Sequence, residues 1–339
     1  MTEYPSTLVH TKSSTIHSNI KPTYRATLLQ SCEADLQAAE EIYAYFDEID
    51  ATEKLWRLKS CRTGAFFFRN KNTGAVRVGA QSCHLRHCPI CTKTRELTIK
   101  TNVASWLRKT GYPKLLTFTL KHHDRPLIEQ INTLYESFKK IRRLSILKNR
   151  CSGGVWFFQV KKSKKDHLWH PHIHCLVAGQ YIPQRDLAKA WLKITGDSNI
   201  VDIRLVKSVE HVAKDVARYA AKPCKLSTLE WSDILEVAVA LDKRRLCGTW
   251  GICRKLKITS LPDFEKGDWY QVGSWNGVYE NRNVDDNAKA IMDCWRTGKP
   301  LETGINIDHL YGDELFETEV SERGSPTIEY QTFFEWKGK

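Results

Sequence analysis

No stretch of the 339-residue sequence approaches the roughly 20 consecutive apolar residues that span a bilayer, and Met1 to Lys12 lacks the apolar centre of a secretory signal. A membrane-embedded or exported protein is therefore not expected, and the expected compartment is the cytoplasm. Acid is also in short supply, with 39 Asp and Glu against 52 Lys and Arg, a net charge of +13. The shortfall is uneven. From Leu261 onward acidic residues outnumber basic ones 16 to 8, which leaves the first 260 residues with about +21. A basic body of that size suits a polyanion, because each Lys or Arg near a phosphate releases condensed counterions; taken alone, it fits a solvated basic surface equally well. Cysteine, by contrast, is plentiful. Eleven is an odd number, and in a reducing compartment such residues read as thiols or metal ligands and not as a disulfide framework.

With 41% hydrophobic residues the chain can bury one sizeable core plus a smaller module, or two modest domains. Met1 to Lys21, rich in Ser, Thr, Asn and Pro, reads as a disordered leader. Apolar spacing predicts helices over Cys32–Glu48, Thr92–Thr110, Pro126–Leu147, Arg185–Ile194 and Val209–Lys222. Strands are predicted at Leu115–Leu120 and Ile200–Val206, with a hairpin of Gly154–Lys161 and His170–Ala178 across the polar turn Lys162–Leu168. That order implies an α+β fold, an antiparallel-rich sheet packed by helices. Beyond Leu261 the sequence offers no motif. The expected units are residues 1–50 as leader and helix, 51–95 as a Cys-rich module, 96–260 as the main domain, and 261–339 as an acidic segment of unknown role.

Three groups of residues carry chemistry. Cys83, Cys88 and Cys91 follow a C-x4-C-x2-C pattern, and Cys61 lies one hairpin upstream. Together they supply the four tetrahedral thiolates of a closed, structural zinc site, with His84 or His87 as substitutes for one of them. His170, His172 and His174 alternate along one strand, so all three point from the same face, an arrangement for gripping a catalytic metal. Gln159 on the adjoining strand offers an oxygen. On the last predicted helix, 100° per residue brings Asp215, Tyr219 and Lys222 to one side. There a phenol can attack a phosphodiester, an ammonium can neutralise phosphate charge, and a carboxylate can act as base. Alone, that helix is an ordinary solvated face.

The order LLTFTL, HPHIHCLV and a helix bearing YAAK resembles the three motifs of the HUH endonucleases, named for their His-hydrophobe-His pair, and most resembles the single-tyrosine plasmid rolling-circle replication initiators. The resemblance runs from about Cys61 to Leu256. It also takes in CHLRHCPIC with Arg95, and LDKRRLCGTWGICRK after the tyrosine helix. It implies an HUH-type central antiparallel sheet with flanking helices, preceded by a small zinc-binding module. His172 and His174 would hold Mg2+ or Mn2+, with the third ligand open between Gln159 and His170. Tyr219 would be the nucleophile, Lys222 its partner, and Asp215, where relatives usually carry Glu, the base for terminating hydrolysis. Gln159 stands where many relatives have a carboxylate. The implied reaction nicks one strand of single-stranded or hairpin origin DNA through a 5′-phosphotyrosine. The freed 3′-OH primes a host polymerase, and a host helicase is a further expected partner. Trp156 or Trp169 would stack on bases or sit in the core. Rival readings are a rolling-circle transposase of the same superfamily and a non-enzymatic zinc-dependent nucleic-acid-binding protein.

Overall fold

The computed structural model describes residues 23–30, 32–45, 50–260, 269–304, 310 and 328–331; the leader expected over Met1–Lys21 lies outside them. Helices α1 (Tyr24–Leu29), α2 (Glu33–Tyr45) and α3 (Asp50–Ser60) lead into a hairpin, β1 (Ala65–Asn70) and β2 (Val76–Gln81). Its turn is built by the Asn70 side chain, which accepts from the backbone N–H of Asn72 and Thr73 at 2.9 Å. Helix α4 (Pro89–Arg108) starts with Pro at its first position, where no N–H is missed. It is followed by β3 (Lys114–Thr119), α5 (Leu127–Ile141), α6 (Ser145–Lys148), and the long hairpin β4 (Cys151–Lys162) and β5 (Trp169–Gly179). Then come α7 (Gln184–Thr195), β6 (Val201–Leu205), α8 (Val209–Ala221), α9 (Trp231–Leu241) and β7 (Cys247–Gly251). Beyond these lie β8 (Trp269–Ser274), α10 (Trp275–Asn281), α11 (Asp286–Thr297) and β9 (Ile328–Gln331).

Two antiparallel sheets organise these elements. The larger has the order β6-β3-β5-β4-β7, which makes the histidine strand its middle member. Period-two alternation then decides what each face holds. Ile173, Cys175 and Val177 of β5 join Leu116 and Phe118 of β3 and Phe158 and Val160 of β4 in the core under α5, α7 and α9. Leu176, Val155 and Phe157 point the other way, against Ile99, Val103 and Leu107 of α4 and Ala213, Val216, Ala217 and Ala220 of α8. The small residues of α8 let it lie close on the sheet. The smaller sheet, β8-β1-β2-β9, flanks the predicted Cys-rich hairpin with strands from the C-terminal segment. Phe67 of β1 stacks on Trp275 at 5.5 Å there, and Trp295 meets that same indole edge-on.

Two differences from the sequence expectation have physical causes. The single helix expected over Pro126–Leu147 is broken after Ile141, because Leu144 takes extended backbone as the cap of α6 while the Arg142 guanidinium turns onto the Phe138 ring, 4.7 Å away. A fifth strand, β7, pairs with β4, and glycine is what lets it approach: a Cβ on Gly248 would lie 2.7 Å from the Trp156 indole nitrogen, and Gly251 sits at φ +60° against the Ser152 carbonyl. Among the described residues no helix is long and apolar enough to cross a membrane.

Candidate active site and cysteine cluster

The face of the large sheet beneath α8 changes character along β5. Apolar packing ends at Leu176 and Phe157, and the next positions are His174 and His172, both half-buried. Register sets their neighbours: Thr117 and Phe157 flank His174, while Thr119 and Gln159 flank His172. His174 Nδ1 lies 3.1 Å from the Thr117 hydroxyl, and its Nε2 lies 3.0 Å from the Gln159 amide oxygen. The His172 and His174 rings are 5.6 Å apart. Burial, first of all, pushes the His172 imidazole down to about 3 and that of His174 to about 4, so both are neutral near pH 7, the form in which imidazole binds a cation. The Gln159 oxygen can only accept, so here Nε2–H donates to it and Nδ1 accepts from the Thr117 hydroxyl; with the proton moved to Nδ1 and accepted by Thr117, the Nε2 lone pair and the Gln159 oxygen would face one ion.

Tyr219 closes the site from above. It stands in the last turn of α8, half-buried, with its ring stacked on His174 at a centroid distance of 4.6 Å and an angle of 26°. The helix is anchored at its start by Ser208, whose hydroxyl accepts from the His211 N–H at 3.3 Å. Asp215, one turn earlier, pairs with Arg218 at 3.0 Å, and the Arg218 guanidinium carbon lies 5.5 Å from the Tyr219 ring centroid. The phenol thus lies on the neutral imidazoles of the sheet's middle strand, with the Arg218 guanidinium and its Asp215 partner beside it.

Two expected members stand elsewhere. Lys222 does not continue the face of Asp215 and Tyr219: α8 ends at Ala221, and Lys222 takes φ −132°, ψ 80°. Its ammonium meets the Asp35 carboxylate of α2 at 2.5 Å, beside a cavity of about 160 Å³ that Cys32, Lys93, Glu96 and Cys224 also line. His170 shares the strand face, but its ligating nitrogens group with His122 and Asp166 and not with the His172–His174 pair. Trp169 is buried, its indole N–H donated to Glu236 at 2.7 Å, and the partly buried Trp156 packs edge-on against Tyr135 and Phe138 at the margin of the core. Sequence reasoning missed Thr117 and Arg218. Thr117 was within reach of it, since pairing LLTFTL with the histidine strand puts one of its threonines beside His174.

The four expected cysteines do converge. The sulfurs of Cys61, Cys83, Cys88 and Cys91 all lie within 4.8 Å of one another and all four residues are buried. Cys88 caps α4 and Cys91 stands in its first turn, where the helix dipole favours thiolate. Hydrogen bonds from Cys61, Cys83 and Cys88 pull the Cys91 thiol well below its ordinary range, and the Ser82 hydroxyl, 3.2 Å away, lowers it further. This is a donor set that suits a tetrahedral divalent ion. His84 and His87 stand outside it. His84 supplies a left-handed backbone turn at φ +54°, and burial holds His87 neutral, its pKa pushed down to about 3.

Comparison with known proteins gives a consistent outcome. A family model described as replication protein, Rep_1, matches residues 75–299. The chain is 26% identical over 287 residues to a protein rep of Bacillus amyloliquefaciens, covering 73% of this chain and 83% of that one. It is 27% identical over 261 residues to a protein rep of a Bacillus species, covering 65% and 85% of the two chains. A protein rep of Streptococcus pneumoniae serotype 2 (strain D39 / NCTC 7466) is 25% identical over 282 residues, with 75% and 85% covered. No solved structure matches.

Proposed function

The chain belongs to the replication-protein family Rep_1, and from that premise we propose that it is an HUH-type, single-tyrosine initiator that nicks one strand at a plasmid origin and starts rolling-circle replication. The stacking of Tyr219 on His174 carries the reading: it holds a nucleophilic phenol within one ring's width of the His-x-His pair. His172, His174 and Gln159 would hold Mg2+ or Mn2+, and the neutral imidazoles and the amide oxygen beside Nε2 are donors that fit such an ion. When bound, that ion supplies Lewis-acid polarisation of the scissile phosphate.

The chain's own residues supply the remaining chemistry. Tyr219 Oη forms a bond to phosphorus as the bond to the 3′ oxygen breaks. The phenol proton leaves to solvent, the 3′ oxygen gains one, and a 5′-phosphotyrosine results. Arg218, over the edge of Tyr219, adds positive charge where the phosphate gains negative charge. Asp215, one turn back, takes a proton from water in the hydrolysis that ends a round. Lys222, paired with Asp35, fixes the end of the tyrosine helix and acts as a positioning residue. Cys61, Cys83, Cys88 and Cys91 would hold a structural Zn2+, forming the small module ahead of the nickase domain of residues 96–260. The basic body tracks single-stranded or hairpin DNA, and a host polymerase or helicase takes over from the free 3′-OH.

The direct test incubates the purified full chain with Mn2+ and single-stranded DNA from its own replicon, followed by denaturing electrophoresis and peptide mass spectrometry. A nucleotide adduct on Tyr219, abolished in Tyr219→Phe and in His172→Ala while DNA binding persists, is the expected result. Cleavage that survives Tyr219→Phe, or no adduct across the whole replicon, would overturn the assignment.

A further inference from the structure

Past the His172–His174 pair, toward the turn of the long hairpin, the same face carries a second group of metal-type donors. His122 follows β3, Asp166 lies in the β4–β5 turn, and His170 stands near the start of β5. The pairing of Thr119 with His172 leads the chain leaving β3 past His170, so these residues, up to 48 positions apart in sequence, are delivered to one corner by register. One ligand atom from each of the three lies within 4.8 Å of the other two, and His122 Nδ1 is 3.1 Å from Asp166 Oδ2.

The corner is built. Asp166 Oδ1 accepts from the Leu168 N–H at 3.2 Å, which leaves Oδ2 for the cluster. The Ser163 hydroxyl accepts from the backbone N–H of Lys165 at 3.2 Å and fixes the turn that carries the carboxylate. His170 Nε2 is out of solvent and has no hydrogen-bond partner, although a buried ring nitrogen left so forgoes a contact of about 1 kcal/mol or more. A cation would supply it. The His122 and Asp166 side chains, 38% and 39% exposed, keep the outer side open, so three protein ligands would sit on one side of an ion with solvent on the other.

We propose that His122, Asp166 and His170 form a second divalent-metal site, distinct from the His172–His174 pair and of the two-histidine, one-carboxylate type that accepts Mn2+, Fe2+ or Zn2+ with coordination positions left open. It is independent of the nicking reading, since the site is defined by its own three ligands.

The test uses the full chain, its cysteine cluster loaded with Zn2+, titrated with Mn2+ while the resonance of the free ion is followed. The wild type is expected to bind two Mn2+ per chain, and the His122→Ala/Asp166→Asn and His172→Ala/His174→Ala variants one each. A second readout needs no loss of ligands from the new site: Fe2+ with ascorbate and peroxide should cut the His172→Ala/His174→Ala chain near residues 120–124 and 163–170. Mn2+ uptake by His122→Ala/Asp166→Asn equal to that of the wild type, in number and affinity, would overturn the proposal. So would the absence of those cuts. If the wild type binds one ion that is lost only in His122→Ala/Asp166→Asn, this site stands and the metal assignment to His172 and His174 falls.

Discussion

Replacing Lys222 by Met separates a residue that acts on phosphate from one that holds the tyrosine helix. Its ammonium meets Asp35 at 2.5 Å, and the two side chains are 31% and 25% exposed. The other oxygen of Asp35 is buried without a partner, so removing Lys222 strands a carboxylate that is mostly out of water. Breaking a fully buried pair costs about 3–5 kcal/mol, and with a quarter to a third of each group in solvent about 2–3 kcal/mol is expected. For a chain of this size that lowers the melting midpoint by about 3–4 °C. Because the penalty comes from the stranded charge and not from a lost attraction, Asp35→Leu combined with Lys222→Met should recover most of it, a coupling of about 2 kcal/mol in a double-mutant cycle. Nicking, measured well below the variant's midpoint, should stay within about tenfold of wild type, whereas loss of a group that stabilises the transition state costs about 10²–10³. Thermal melts of the four proteins and gel-based nicking on a single-stranded origin oligonucleotide provide both numbers. A Lys222→Met protein that melts like wild type yet nicks 10²–10³ more slowly would refute the reasoning and return Lys222 to the phosphate.

Acid should destabilise the fold through histidine. Burial lowers His87 and His172 to about 3 and His174 to about 4, below an unfolded value of about 6.5, so the unfolded chain gains protons first. Stability is then complete above about pH 6.5 and falls as pH drops toward 3–4, by up to about 1.4 kcal/mol per pH unit for each histidine, which urea midpoints at pH 7.5 and 5 would register; equal midpoints would contradict it. Cys91→Ser should remove one bound zinc per chain and speed hydrogen exchange in the first turns of α4, as measured by metal analysis and mass spectrometry; an unchanged zinc content would show that the cysteine sulfurs do not hold it. Gly154→Ala should cost about 2–3 kcal/mol, because the added Cβ would lie 2.4 Å from the Leu176 carbonyl oxygen on the neighbouring strand; a melt within 1 °C of wild type would mean that β4 can shift to make room.

What the sequence made legible follows from how local each signal is. Alternation in HPHIH assigns three histidines to one face with no knowledge of the fold, because the strand period is two whatever the partners are. Which of them act together is not local: His170 goes with His122 and Asp166 because of where β3 ends and how the hairpin turns. The tyrosine helix was legible as far as Tyr219 and misread at Lys222, since a 100° step per residue holds only while the helix lasts. The warning was present in Pro223, which disfavours helical backbone in the residue before it, and Lys222 has left the helical region. Its partner, 187 residues away, was beyond any periodicity argument. The same limit hid the strands that flank the Cys-rich hairpin, where Asn70 pairs with Trp269, and left Leu261 onward without a visible purpose. The proposed ligands and nucleophile were therefore easier to nominate than the residues around them: type and spacing suggest a ligand or a nucleophile, while Thr117, Arg218 and Asp35 meet neighbours that only the folded chain supplies.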